Sequence, residues 1–184
     1  MILPDHALRS LIESGTLIID PYESSSIGPT SIDLRVGGTI VVYSSTRIDL
    51  GRMTPDVVKI DMDPESGYEL PPSGFVLART LERIQMPNGF QGFIETKGDI
   101  ARAGLQVHNG DGHVDPGSNH TITLEITNLN TIPVVLRPGI WICQLFVHEL
   151  SGLCERPYAG KYLGQSDPSS YIADISRRRP SHEP

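Results

Sequence analysis

Residues Ile94 to Asn128 read IETKGDIARAGLQVHNGDGHVDPGSNHTITLEITN, a series of short apolar runs separated by turns rich in Gly, Asp and Pro. In the final run, TITLEITN, Ile122, Leu124 and Ile126 alternate with polar residues. A period of two is typical of a strand that turns one face to the core. Upstream, LQVHN predicts a further strand and IARAG a single turn of helix. We therefore expect an all-β architecture of short strands joined by tight turns.

The remaining sequence agrees with a mostly β fold class. Its 184 residues suit one domain over 1–184, and 18 Gly with 15 Pro favour frequent turns. A short helix is predicted between Pro4 and Gly15, where Ala7, Leu8, Leu11 and Ile12 recur at helical spacing. We expect this helix to cap a β body.

Two further stretches predict strands. The segment SIDLRVGGTIVVY, residues 31–43, alternates around a Gly-Gly bend and places Asp33 and Arg35 on the same side. Two apolar runs flank a turn at Arg137–Gly139, and their apolar residues on both faces predict central strands. Beyond residue 150 the composition becomes rich in Gly, Ser and Pro, so about 166–184 is expected to be a flexible tail.

Charge and cysteine content narrow the class of protein. With 15 Lys and Arg against 22 Asp and Glu, the net charge of −7 argues against a nucleic-acid polymer as partner. Cys143 and Cys154 do not form the framework of a small secreted domain. The N-terminus lacks a signal-peptide pattern, and no apolar run is long enough to span a bilayer. We expect a cytoplasmic protein without a membrane partner.

Glu125 is the leading candidate for chemistry, because the alternation of its strand turns it away from the core face. An isolated Glu at such a position is ordinarily a solvated surface residue. Its neighbours favour catalysis: Asp115 heads the same strand, and Arg102 comes from a segment that a compact barrel could bring alongside. A carboxylate held near an Arg and shielded from water can carry protons.

The turn TKGDIAR is a weaker candidate. Lys97 and Gly98 could present an ammonium and backbone N–H groups to a phosphate. Asp99 carries the wrong charge for such a site, so an ordinary solvated turn is an equal alternative.

A metal site is a second weak possibility. His108, His113 and His120 lie near Asp111 and Asp115, but their spacing matches no helical pair of His ligands. The two cysteines also lack the C-x-x-C spacing of zinc deaminases. We therefore expect no zinc.

Several segments follow one another in an order that covers nearly the whole chain: TSIDLRVGG, PPSGFVLARTLERIQMP, IARAGLQVH, HVDPG, ITLEITN, LRPGIWICQL and PYAGKYLGQ. Together they resemble the dCTP deaminases, which belong to the trimeric dUTPase superfamily. The resemblance implies a distorted β-barrel of the dUTPase-like, β-clip type with a mobile C-terminal lid. It also implies a homotrimer with deoxynucleotide sites between subunits.

The resemblance also assigns roles. Glu125 corresponds to the general base and acid for attack of water on cytosine C4 without zinc, and Arg102 to the Arg that supports the site. Asp115 corresponds to the contact with the sugar region. Magnesium is expected to accompany the triphosphate without ligands from protein side chains. The substrate-binding positions implied in this way are Lys97, Gly98, Asp99, Asp111, His113, Asp115, Gln144, Tyr158, Lys161 and Gln165.

Three departures from the family pattern concern the phosphates and the base. The usual G-R-S-S is Thr96–Asp99, so two hydroxyl donors are replaced by Gly98 and Asp99. The usual H-x-T-A-x-x-I-D is H-N-G-D-G-H-V-D, with Gly110 and Asp111 for Thr and Ala. Ser118 occupies the position of an expected aromatic residue.

Three functions follow as hypotheses. The leading one is deamination of dCTP by water to dUTP and ammonia. The second is phosphoanhydride hydrolysis, as in dUTPases or bifunctional relatives, which tend to carry Gly at the position of Gly112. The third is a non-catalytic nucleotide-binding homologue, favoured by the carboxylates of Asp99 and Asp111 beside a polyphosphate.

Overall fold

The computed structural model describes residues 1–49, 55–160 and 162–164. Strands predominate, and one short helix precedes them, so the mostly β class with an N-terminal helix is confirmed. The helices are α1 (Asp5–Glu13) and α2 (Gly98–Arg102), with a 3-10 turn at Ser24–Ser26. The strands are β1 (Ile18–Asp20), β2 (Ile32–Arg35), β3 (Thr39–Tyr43), β4 (Val57–Asp61), β5 (Tyr68–Leu70), β6 (Phe75–Gln85), β7 (Phe90–Thr96), β8 (Leu105–Gln106), β9 (His113–Val114), β10 (Asn119–Asn128), β11 (Val134–Leu136) and β12 (Trp141–Glu149).

The described strands pair in three sheets. The largest has the order β4-β3-β6-β10-β8, with β1 also paired to β6. The second has the order β2-β12-β7-β9, and β5 and β11 form a two-stranded sheet. The expected distorted barrel therefore takes the form of separate sheets, and within the described residues no ring of strand pairings closes.

The core forms where alternating apolar residues of the two larger sheets pack together. On β10, Ile122, Leu124 and Ile126 are buried as the alternation predicted, while on β12 the buried residues include Leu145 and Val147. Full burial of an aliphatic side chain of this size stabilises the fold by about 1.5–3 kcal/mol. The helix α1 contributes the fully buried Leu8 to the same core.

The predicted strand at residues 31–43 is divided between two sheets. β2 lies in the four-stranded sheet and β3 in the six-stranded sheet, and Gly37 is at the bend between them. A Cβ at Gly37 would lie 3.2 Å from Arg79 Cγ, and the Gly37 N–H donates to the Arg79 carbonyl at 2.8 Å. Close approach of two backbones favours glycine here. The Gly-Gly bend therefore carries the chain from one sheet to the other.

Two other local predictions need correction. The run LQVHN forms only the two-residue strand β8, because the backbone N–H of Asn109 turns to the Glu125 carboxylate. Of the two apolar strands around Arg137–Gly139, β12 is central as expected, between β2 and β7. β11 is instead in the small two-stranded sheet with β5, where Val135 is exposed.

A buried ion pair joins the two larger sheets. Glu82 on β6 is 2% exposed, and its carboxylate accepts the Arg35 backbone N–H at 2.9 Å and the Arg35 Nε–H at 2.7 Å. The guanidinium also pairs with Glu23 and lies over the Trp141 ring. Burial opposes the charge of Arg35, but its hydrogen bonds and the charges of Glu82 and Glu23 outweigh this and raise the pKa of Arg35. Arg35 therefore stays charged between the sheets.

None of the helices in the described ranges is long and apolar enough to cross a membrane. The N-terminal residues pair with β12 of the second sheet. The Leu3 N–H donates to the Val147 carbonyl and the Glu149 N–H donates to the Met1 carbonyl, both at 2.9 Å.

Replacing Glu82 by Gln tests whether this ion pair holds the sheets together. The amide keeps the shape of the side chain but leaves the Arg35 guanidinium without its buried counter-charge. We expect the free energy of unfolding in urea to fall by about 3 kcal/mol. The matched control Glu69→Gln, at an exposed position of β5, should change it by less than about 0.5 kcal/mol. Equal effects of the two variants would contradict a special role for the pair.

Candidate active site

Glu125 lies on the outward face of β10, and a neighbouring loop holds it at both ends. Its backbone N–H donates to the Val107 carbonyl at 3.0 Å, and its Oε2 accepts the backbone N–H of Asn109 at 3.0 Å. The side-chain amide of Asn109 in turn bonds the hydroxyl of Thr127, two residues along the same face, at 3.1 Å. The Glu125 carboxylate is thus fixed by the segment that follows β8.

Two aromatic residues share the sheet face of Glu125. In the strand register, Glu125 lies opposite Leu77 and Thr127 opposite Phe75 on β6. The Phe75 ring stacks on Tyr43 of β3, with ring centroids 6.1 Å apart. Burial and, to a smaller extent, the charge of Glu125 raise the pKa of Tyr43. The sequence did not identify Tyr43 as a site residue. Its spacing of two residues from Val41 on β3 predicts only that the two side chains share one face of the strand.

Arg102 is exposed, in a segment that we expected a compact barrel could bring alongside Glu125. It ends α2, and 81% of its side chain is accessible. Its guanidinium pairs with Asp99, also on α2, at 3.3 Å between Nη1 and Oδ1, and 85% of the Asp99 side chain is accessible. Asp99 and Gly98 lie in the first turn of this helix, which has only five residues. The carboxylate that replaces a family Ser therefore pairs with Arg102 at the surface.

Lys97 and Gln144 meet at a third residue, Asp33. The Lys97 ammonium pairs with Asp33 Oδ2, and the Gln144 side-chain amide donates to Asp33 Oδ1 at 2.9 Å. The same amide donates to the hydroxyl of the buried Ser31 at 3.2 Å. Asp33 alternates with buried residues on β2, as does Arg35, which confirms their predicted common side. The fold thus brings together two of the predicted substrate-binding residues.

The histidines occupy separate places. His108 Nε2 lies 3.5 Å from a Glu95 carboxylate oxygen, and His113 Nδ1 lies 3.1 Å from Asp111 Oδ1. The His120 Nδ1–H donates to the Thr121 carbonyl at 2.9 Å. In the part of the chain that the structure describes, no three His, Cys, Asp or Glu side chains are placed to hold a metal ion.

The turn that begins at Asp115 contacts the C-terminal segment. The Asp115 carbonyl accepts the Ser118 N–H at 3.0 Å, and the next carbonyl, of Pro116, accepts the Tyr158 N–H at 2.7 Å. The Gly164 N–H donates to the Asn119 carbonyl at 2.9 Å. Tyr158 is therefore held against the start of β10. Lys161, Gln165 and the tail at 166–184 lie outside the described residues.

Comparison with known proteins shows the family of this chain. The sequence model of the family described as dCTP deaminase-like matches residues 2–150. The chain belongs to the dCTP deaminase-like family. Among curated dCTP deaminase-like relatives, a protein of Persephonella marina named "dCTP deaminase, dUMP-forming" is 39% identical over 90% of this chain and 93% of its own length. A protein of the same name from Rhodococcus jostii is 37% identical over 92% of this chain and 94% of its own length.

A solved structure supports the fold of this dCTP deaminase-like chain. The crystal structure of a 2'-deoxycytidine 5'-triphosphate deaminase from Agrobacterium tumefaciens superposes with a TM-score of 0.63 at 19% identity. It covers 79% of this chain, which spans about half of that protein, 47% of its length. At this identity the likeness concerns the fold alone.

The proximity of Tyr43 and Glu125 can be measured through the tyrosine. Because the carboxylate charge disfavours a tyrosinate, Glu125→Gln should lower the pKa of Tyr43 towards its ordinary value, although burial keeps it above that value. NMR titration of the Tyr43 ring carbon would report the change. The control Glu149→Gln, at the exposed end of β12, should leave the Tyr43 titration unchanged. An identical Tyr43 titration in wild type and Glu125→Gln would refute the proximity.

Proposed function

We propose that this chain is a dCTP deaminase that forms dUMP, with Glu125 as the proton carrier. The observation that carries the proposal is the Glu125 carboxylate, fixed by the Asn109 N–H on a sheet face with Tyr43 and Phe75. Relatives at 35–39% identity are named "dCTP deaminase, dUMP-forming", which supports dUMP as the product. These names do not support dUTP, the product expected from the sequence. The overall reaction is dCTP and two waters to dUMP, ammonia and pyrophosphate.

In the deamination step, Glu125 acts as base and then as acid. Its carboxylate accepts one proton from water as the water oxygen bonds to cytosine C4, and it delivers this proton to N3. It then takes the proton of the new C4 hydroxyl and passes it to the amino group, so that the C4–N bond breaks, ammonia leaves and the C4 carbonyl of uracil forms. The Asn109 N–H binds Oε2, and we propose that Oε1 carries the proton. A positioned carboxylate of this kind accelerates proton transfer by about 10²–10⁴-fold.

Hydrolysis between the α- and β-phosphates is the second step. A second water attacks the α-phosphorus, pyrophosphate leaves, and Asp115 helps to position the water. Gly112 accords with the bifunctional relatives, and its backbone is held tightly: a Cβ there would lie 2.8 Å from the Ile94 carbonyl oxygen, while the Gly112 carbonyl accepts the Ile94 N–H at 2.8 Å. The loop that borders Glu125 therefore requires Gly at this position.

The phosphates are proposed to bind to Lys97, Gln144 and Lys161, of which Lys161 lies outside the described residues. Lys97 and Gln144 already converge on Asp33, which orients both. Magnesium bound by the phosphates would screen their charge from Asp33 and Asp99. Tyr158 and Gln165 are proposed as further substrate contacts from the C-terminal segment.

We propose further that the active form is a homotrimer and that each site takes Arg102 from a neighbouring subunit. The exposed Arg102 side chain, which pairs with the similarly exposed Asp99, supports an intersubunit role. A charged group that completes a site across a cyclic interface is exposed in the isolated subunit.

Replacement of Glu125 by Gln should abolish deamination. The amide cannot accept the proton of water, so ammonia release from dCTP should fall by about 10³-fold or more. Ammonia, pyrophosphate, dUMP and dUTP would be quantified with wild type, Glu125→Gln and the exposed control Glu69→Gln in the presence of Mg²⁺.

The products that form distinguish the three functional hypotheses. Wild-type release of ammonia and pyrophosphate with dUMP supports the proposal, and ammonia with dUTP would exclude the second step. Unchanged turnover of Glu125→Gln would remove this residue from the mechanism. Binding of deoxynucleotides without any turnover by wild type would indicate a non-catalytic homologue.

Mixing two inactive variants tests the intersubunit site. Glu125→Gln and Arg102→Ala should each be inactive alone. After unfolding and co-refolding at equal concentrations, random trimers would regain about a quarter of the wild-type sites, because a site needs one subunit with Glu125 beside one with Arg102. Separately refolded variants, mixed afterwards, are the control. No recovery in co-refolded trimers would place both residues in one subunit.

A further inference from the structure

We propose that Thr96 is a positioning residue for Glu125, acting through the backbone of Val107 to Asn109. The inference rests on the proposed function of Glu125 as proton carrier. Thr96 stands where the family pattern G-R-S-S begins with Gly, so its hydroxyl is a feature of this chain. That hydroxyl accepts the backbone N–H of Val107 at 3.0 Å.

Thr96 is a firm anchor, because its own backbone belongs to the four-stranded sheet. It lies opposite Cys143 of β12 in the strand register, and the following Lys97 N–H donates to the Ile142 carbonyl at 3.1 Å. Val107 follows β8, which is the edge strand of the six-stranded sheet. The hydroxyl of Thr96 therefore fixes the segment after β8 to the other sheet.

Both backbone groups of Val107 are used. Val107 is fully buried, its N–H donates to Thr96 and its carbonyl accepts the N–H of Glu125 at 3.0 Å. A buried N–H without an acceptor is costly. Without the Thr96 hydroxyl, the Val107 N–H has to find another acceptor, and the segment shifts to reach it.

Such a shift moves the group that holds the catalytic carboxylate. Asn109 is only two residues beyond Val107, and its N–H is the donor to Glu125 Oε2. Asn109 itself is exposed, so little packing fixes it besides its bond to Thr127 on β10. Thr96 supplies the anchor from outside β10. It thereby sets the orientation of the Glu125 carboxylate towards the attacking water.

If Thr96 positions Glu125, removing its hydroxyl should slow the chemical step and change the binding of dCTP little. Thr96→Val keeps the size and branching of the side chain and removes the acceptor. We expect kcat for ammonia release to fall about tenfold or more, because misplacement of a catalytic group by an ångström lowers rate strongly. KM for dCTP should stay within about twofold, and Thr96→Ser, which retains the hydroxyl, should restore kcat.

The matched control is Thr39→Val. It removes a threonine hydroxyl on β3 that donates to Asp61 on the neighbouring strand β4, at the opposite side of the six-stranded sheet from β8. Its kcat should equal that of wild type. Amide hydrogen exchange supplies a readout that does not need activity: the Val107 and Asn109 amides should be protected in wild type and Thr96→Ser, and should exchange faster in Thr96→Val.

The outcomes separate this inference from the proposed function. A wild type without deaminase activity defeats the proposed function, and with it the catalytic role given to Thr96. An active wild type with unchanged kcat in Thr96→Val overturns the inference alone. If Thr96→Val does not fold, the wild-type exchange decides: an unprotected Val107 amide overturns the inference, whereas protection together with full activity of Thr96→Ser supports it.

Discussion

The ion pair between Arg35 and Glu82 is the constraint on which the rest of the molecule depends. It is buried between the two larger sheets, where an unpaired charge would be severely destabilising, so β2 and β6 must keep one relative position. Asp33 is two residues before Arg35 on β2 and holds Lys97 and Gln144. The interaction that joins the sheets therefore also places the proposed phosphate contacts.

Glu125, the proposed proton carrier, lies on the face of β10 opposite the aliphatic core. Ile122, Leu124 and Ile126 bury one face of β10, which leaves Glu125 on the other face with Tyr43 and other aromatic and polar neighbours. A half-buried carboxylate there can exchange protons with a substrate without disturbing the packing that holds its strand. Segment 107–109, fixed to the neighbouring sheet, supplies the hydrogen bond that orients it.

In the proposed homotrimer, each site takes Arg102 from a neighbouring subunit. Arg102 projects from a helix of five residues and pairs at the surface with Asp99, whereas Glu125 is enclosed by its own strand and loop. An exposed ion pair of this kind contributes little to stability, so its two charges are available to a ligand or to another subunit.

Local pattern alone determined the strand class, the outward direction of Glu125 and the common side of Asp33 and Arg35, because period-two alternation needs only the chirality and pleat of one strand. The order of motifs determined the family. Only the tertiary structure decided that the Gly-Gly bend changes sheets, that Arg102 is exposed and that Tyr43, Thr96 and Glu125 belong together. These facts depend on contacts between residues far apart in the chain, and no local periodicity encodes which strands become neighbours.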